Sequence, residues 1–325
     1  MPQNVAFQAV IDALLDTSRP FPVRYFHRFS DLPPAEVKAL LQVWPQVTPQ
    51  RKVALPEDLE ELAEADTLTS FDDLARPLLA DPLPQVRVLA MRLLWECEDP
   101  KLIPTYLDIL NTDEDPVVRA AAANVLGLFV YLGEVDHIPA ELHRQVEDDL
   151  LEVATSEQED QIRQRALESL GASSREEVPP LIETAYRQKN SSWVVSALYA
   201  MGRSADTRWE KQVLSNLTNP NDEERIEAVR ASGELDLRAA RPILLDMLLD
   251  EEDLVVRRQI IWALSKIGGE GVRNRLEELF EAEMDDDESD FLEEAIDNLA
   301  FNEDSGLFDL LDIEADEEEE EEEEE

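Results

Sequence analysis

Few side chains in this sequence are suited to metal binding or nucleophilic chemistry. It has three histidines, His27, His137 and His143, and one cysteine, Cys97. An iron or zinc site needs imidazoles and carboxylates at ligand spacing, and no histidine here is directly followed by glutamate. His137 and His143 bracket HIPAELH, where their six-residue gap and Pro139 keep them off a common helical face. Both read as surface histidines. Cys97 lies between Glu96 and Glu98, whose charge raises a thiol's pKa and blunts it as a nucleophile. A single cysteine also excludes a disulfide framework and a thiolate metal cluster. Nine glycines in 325 residues include no phosphate loop, dinucleotide fingerprint or serine elbow. The expectation is a chain that is not an enzyme, with no cofactor and no resident metal.

The charge balance narrows the partners. Acidic residues number 75 against 29 basic, a formal net charge of −46. Of the acids, 27 follow Arg275, after which there is no Lys or Arg. Glu317 to Glu325 are nine consecutive glutamates, which repel one another and bury nothing, so this end is expected to be disordered. Phosphate affinity needs clustered Lys and Arg, so direct nucleic-acid binding is not expected. The N-terminus, MPQNVAFQAVIDALLD, lacks the basic region and long apolar core of a signal peptide. No stretch approaches about eighteen uninterrupted apolar residues, so no membrane span is expected. A soluble cytoplasmic setting follows as an expectation.

The elements that position these residues come from a repeat. An acidic turn, an apolar residue, Arg, a small residue three positions on, and a later apolar residue, often followed by Gly, recur along the chain. Copies include DPLPQVRVLAMRLLW around Arg87, DEDPVVRAAAANVLG around Arg119 and EDQIRQRALESLG around Arg163. NDEERIEAVRASG around Arg225 and EEDLVVRRQIIWALSKIG around Arg257 continue the series. SSWVVSALYAMG has Val194 in place of the Arg, and a degenerate last copy, SDFLEEAIDNLAF, has Leu292. The steps are 32, 44, 31, 31, 32 and 35 residues, the long one holding an insertion near 129–140. Each copy follows a second amphipathic segment such as KLIPTYLDIL or AARPILLDML. Two helices joined by a short turn make the unit.

The D-x-x-V-R-x-x-A-x-x-x-L-G pattern in DEDPVVRAAAANVLG resembles the HEAT repeat, in particular the short bacterial, phycobilisome-lyase-like type. The resemblance covers about residues 71–300 and implies an all-α fold. Its form would be a right-handed α-solenoid of about six to seven helical hairpins with an N-terminal helical cap. The expected divisions are a cap over 1–70, the solenoid over 71–302 and an acidic tail over 303–325. In the cap, PPAEVKALLQVWPQV and EDLEELAEAD read as separate helices with Pro56 between them.

The recurring Arg87, Arg119, Arg163, Arg225 and Arg257 read as a structural ladder, bonding carboxylates and turn carbonyls of their own and neighbouring repeats. A helical projection turns the positions one, five and nine after each Arg outward. The resemblance implies that this face lines the concave side. In the later repeats it carries Tyr199, Arg203, Arg230, Arg258, Trp262 and Lys266, a basic and aromatic set in an acidic chain. Tyr, Trp and Arg carry much interface energy, which makes these the candidate partner-binding residues. The alternative is that the aromatics pack between helices and the cations pair with nearby glutamates. The tail places Leu307, Phe308, Leu310, Leu311 and Ile313 among acids, a pattern that could dock on the same patch. The expected function is a non-catalytic scaffold or adaptor for a protein partner. An acidic chaperone for basic proteins and a chromophore-lyase-like protein are the alternatives.

Overall fold

The acidic turns of the repeat are helix caps. Asp115 accepts a hydrogen bond from Val117 N at 2.8 Å, Asp253 from Val255 N at 2.9 Å, and Asn221 from Glu224 N at 3.1 Å. Each satisfies backbone donors that the first turn of a helix leaves open. Pro34, Pro49, Pro84 and Pro116 stand at helix starts, where a missing N–H costs nothing.

A computed structural model describes residues 7–156, 158–282 and 285–302, and within these the chain is helical and without strands. It gathers into two compact units, Met1–Leu170 and Gly171–Glu325. The first unit opens with α1 (Phe7–Leu15), α2 (Pro34–Val43) and α3 (Pro49–Ala65). Three hairpins follow: α4 (Asp72–Leu78) with α5 (Pro84–Leu93), α6 (Ile103–Thr112) with α7 (Pro116–Glu134), and α8 (Ala140–Thr155) with α9 (Asp160–Ser169). The second unit holds α10 (Val178–Tyr186) with α11 (Ser191–Arg203), and α12 (Glu210–Asn216) with α13 (Asp222–Glu234). It continues with α14 (Arg241–Asp250) and α15 (Leu254–Ile267), then α16 (Val272–Ala282) and α17 over 286–302. The described residues thus form seven hairpins of an α-solenoid repeat. Residues 303–325, the expected tail, lie outside the described residues.

In each unit the second helices stand side by side, α3 on α5, α5 on α7 and α7 on α9 in the first, α11 on α13 and α13 on α15 in the second. Their cores are small and branched residues such as Val118, Ala122, Leu126, Ala228, Val229, Ile260 and Leu264. Each buried Val, Leu or Ile contributes roughly 1.5–3 kcal/mol. At Gly233 a Cβ would meet the Ala263 Cα at 2.8 Å, so this glycine sets how closely α13 and α15 approach.

Two sequence expectations change. Pro56 does not separate two helices: α3 runs unbroken through it, and Pro56 is buried on the packed face. The second concerns α7, which by length and composition could cross a membrane, with a mean hydropathy of 1.5. Arg119 and Asn124 hide this from a search for uninterrupted runs. Half of that stretch is buried, against α5, α6, α8 and α9. The insertion near 129–140 lengthens α7 to 19 residues, and a Schellman turn then ends it. In that turn His137 N–H reaches Leu132 O at 2.8 Å and Asp136 takes a positive φ of 59°.

Candidate interaction surface

The arginines of the ladder lie half-buried beside the turns. Arg87 donates to both carboxylate oxygens of Asp113, at 2.8 and 2.7 Å, and to Asp81 O at 2.8 Å. Arg119 reaches Leu110 O at 2.7 Å, and Arg225 reaches Asn219 O at 2.7 Å. Arg163 meets Ala154 O at 3.4 Å and Asp160 at 3.3 Å. Arg257 is half-buried at the equivalent place. Where Val194 replaces the Arg, Ser191 makes the link to the next turn instead. Its hydroxyl donates to Glu224 at 2.7 Å and accepts from Asn221 Nδ2 at 3.0 Å.

On the face of α11, α13 and α15, the six residues singled out from the sequence fall into two pairs and two outliers. Arg230 lies over the Tyr199 ring, 4.1 Å from its centroid, and donates to Tyr199 O at 3.1 Å. The same guanidinium bonds Glu227 at 2.5 Å and pairs with Glu234. Burial disfavours its charge, but these two carboxylates outweigh that and hold its pKa above the ordinary arginine value. Lys266 stands 5.9 Å from the Trp262 ring centroid. Arg230, Glu234, Gln259, Trp262 and Lys266 enclose a pocket of about 210 Å³. Arg258 turns toward α17, where it bonds Glu288 and lies 5.3 Å from the Phe291 ring centroid. Arg203 is exposed at the end of α11. Arg230 and Arg258 are therefore matched by carboxylates, and the rings of Tyr199 and Trp262 remain half-exposed.

The equivalent face of the first unit departs from the helical projection. Ala120 and Glu168, expected outward, are buried at 3% and 5% exposure, because α7 and α9 pack closely there. Between α3, α5 and α7 a groove of about 760 Å³ is lined by Glu60, Glu64, Arg92, Trp95, Cys97 and Asn124. Trp95 is 66% exposed in it. Sequence reasoning missed this residue because it lies past the end of α5, off the regular projection. The signal available was a tryptophan at a helix end among acids.

The Cys97 thiol is pushed up by burial first and by Asp72 second, not by Glu96 and Glu98. His27 and His137 are exposed. His143 is not the surface residue its spacing suggested: its side chain is 16% exposed.

The family model for HEAT repeats matches residues 73–140 and 210–300. No curated protein matches the chain. Among solved structures, YibA of E. coli is 17% identical, with a TM-score of 0.42, over 88% of this chain and 99% of that one. The complex of CpcE and CpcF of phycocyanin lyase from Nostoc is 18% identical, with a TM-score of 0.47, over 70% and 94%. Human deoxyhypusine hydroxylase is 19% identical, with a TM-score of 0.35, over 80% and 95%.

Proposed function

From a chain that carries HEAT repeats, we propose a non-catalytic scaffold or adaptor that binds a protein partner along its second-helix face. What supports this reading is the pairing of Arg230 with Tyr199 beside the pocket shared by Trp262 and Lys266. Half-exposed aromatic rings flanked by held cations are the side chains that carry interface energy at little conformational cost. Lys266 and the edge of Trp262 meet a carboxylate and an apolar group on the partner. The acidic tail, with Leu307 and Phe308, competes for the same place, and the setting is cytoplasmic.

The test is capture of partners by the full chain, by Trp262→Ala and Lys266→Ala, and by a chain ending at Asn302. Arg258 is the wrong residue to change, because its loss strands Glu288, which is only 8% exposed. Loss of a specific partner in Trp262→Ala, and its enrichment on truncation, supports the reading. Loss confined to Trp95→Ala moves the interface to the groove between α3, α5 and α7. Truncation that instead removes basic partners, in a manner that rising salt also reproduces, makes the tail the binding element and the chain an acidic chaperone.

A further inference from the structure

The lengthened α7 brings Glu134, at its last position, against the face of α8 that carries His143 and Glu147 one turn apart. His143 Nε2 stands 3.7 Å from a Glu134 carboxylate oxygen and 3.6 Å from one of Glu147. Both separations are too long for a hydrogen bond. They match the spacing of two donors bound to one ion, roughly 3.4 Å for a tetrahedral metal with ligands about 2.1 Å away. The three donor atoms lie within 4.8 Å of one another. His143 Nε2 is buried and has no hydrogen-bond partner, which is costly for a polar atom. Glu147 is 5% exposed, so its carboxylate lies largely out of solvent.

A Cβ on Gly133 would meet the His143 ring at 2.1 Å, so the ring occupies the space that a side chain at this position would fill. The insertion that breaks the repeat period therefore supplies both the carboxylate of Glu134 and the bare backbone beside it.

We propose that Glu134, His143 and Glu147 bind a divalent transition-metal ion, with Zn²⁺ the fitting probe. One imidazole and two carboxylates suit borderline ions such as Zn²⁺, Mn²⁺ or Fe²⁺ rather than Ca²⁺, which takes oxygen ligands only. With a neutral imidazole the donor set carries two negative charges, which a divalent ion offsets. Three protein ligands leave at least one position to water. Sequence spacing pointed away from a metal because the pair that matters is not His137 with His143 but His143 with residues on two helices.

The experiment uses the full-length chain, stripped of metal and held in millimolar Mg²⁺, which occupies exposed carboxylates including the glutamate run. Zn²⁺ uptake is then measured by calorimetry, and Co²⁺ serves as the visible reporter of a nitrogen-containing low-coordinate site. Expected is one Zn²⁺ per chain above the Mg²⁺ background, raising the thermal midpoint. His143→Gln weakens it by roughly 100-fold or more and abolishes the Co²⁺ bands, and His137→Gln leaves both unchanged. Gly133→Ala keeps every donor and a good helix residue, yet displaces the ring and loses the ion; circular dichroism of the metal-free variants shows that each is folded. Absence of Zn²⁺ uptake above background would overturn the proposal. Uptake that His143→Gln or Gly133→Ala leaves intact would overturn it equally.

Discussion

Arg87 grips Asp113 with two hydrogen bonds, Nε to Oδ2 at 2.8 Å and Nη2 to Oδ1 at 2.7 Å, across the boundary between the first two hairpins. The side chains are 14% and 9% exposed, so the pair is shielded from solvent. Asp113 also accepts from Asp115 N at 2.9 Å, which ties the pair to the turn that caps α7. Removing one partner of a buried pair leaves the other charge uncompensated. Asp113→Ala should therefore destabilise the first unit by about 3 kcal/mol. Arg87→Lys should lose less, keeping the charge but not the planar fork. Urea unfolding checks this: the midpoint should fall in that order with the slope unchanged. Equal midpoints for wild type and Asp113→Ala would show that the turn is held by the backbone alone.

Asp81 predicts an acid-side dependence. It accepts hydrogen bonds from Trp44 Nε1 at 2.6 Å, Lys52 Nζ at 3.0 Å and Leu83 N at 2.9 Å. Burial alone would raise its pKa, and these donors outweigh that and hold it below the ordinary carboxylate value. A carboxyl depressed in the folded state stabilises the fold above its unfolded pKa, and this contribution is lost as pH falls through the folded value. The thermal midpoint of Asp81→Asn should thus lie below that of wild type near neutrality. The gap should narrow as pH falls below the ordinary aspartate value of about 4 and wild type loses the ionised carboxylate. A gap that stays constant on acidification would mean that Asp81 acts by shape and not by charge.

Gly233 predicts the sign of an overpacking change. Alanine gains up to about 1 kcal/mol in helix propensity over glycine. Against this, the new Cβ would lie 2.8 Å from the Ala263 Cα, a backbone atom that yields only if α13 and α15 separate. Overpacking of this kind costs about 1–3 kcal/mol. Gly233→Ala should be net destabilising, with helical content unchanged by circular dichroism. A rise in the urea midpoint would show that the two helices part at little cost.

The repeat was legible in the sequence because its signals are local. Asp115, Asp253 and Asn221 stand at helix starts within three residues of the backbone groups they cap. The arginines of the ladder follow at fixed offsets, and hydrophobic periodicity marks which stripe of each helix is buried. Tyr199, Arg203, Arg230, Arg258, Trp262 and Lys266 could be placed on one row of helices for the same reason. Their partners could not. Whether Arg230 is free or held by Glu227 and Glu234, and whether Arg258 faces the row or Glu288 on α17, depends on rotamers and on packing between helices.

The composition and period of this chain alone determined an all-α array of helical hairpins joined by acidic turns, and the scarcity of imidazole and thiol. Tertiary structure alone decided that Pro56 stays within a helix and that Ser191 replaces a missing arginine by reaching Glu224, 33 residues on. It also decided that Glu134 meets His143 and Glu147 beside Gly133. The physical reason is range. Capping and periodicity act within one or two turns of a helix, whereas burial, ion pairing and donor clusters depend on which helices approach and how closely, and the absence of a single carbon atom admits the His143 ring at Gly133 and the backbone of Ala263 at Gly233.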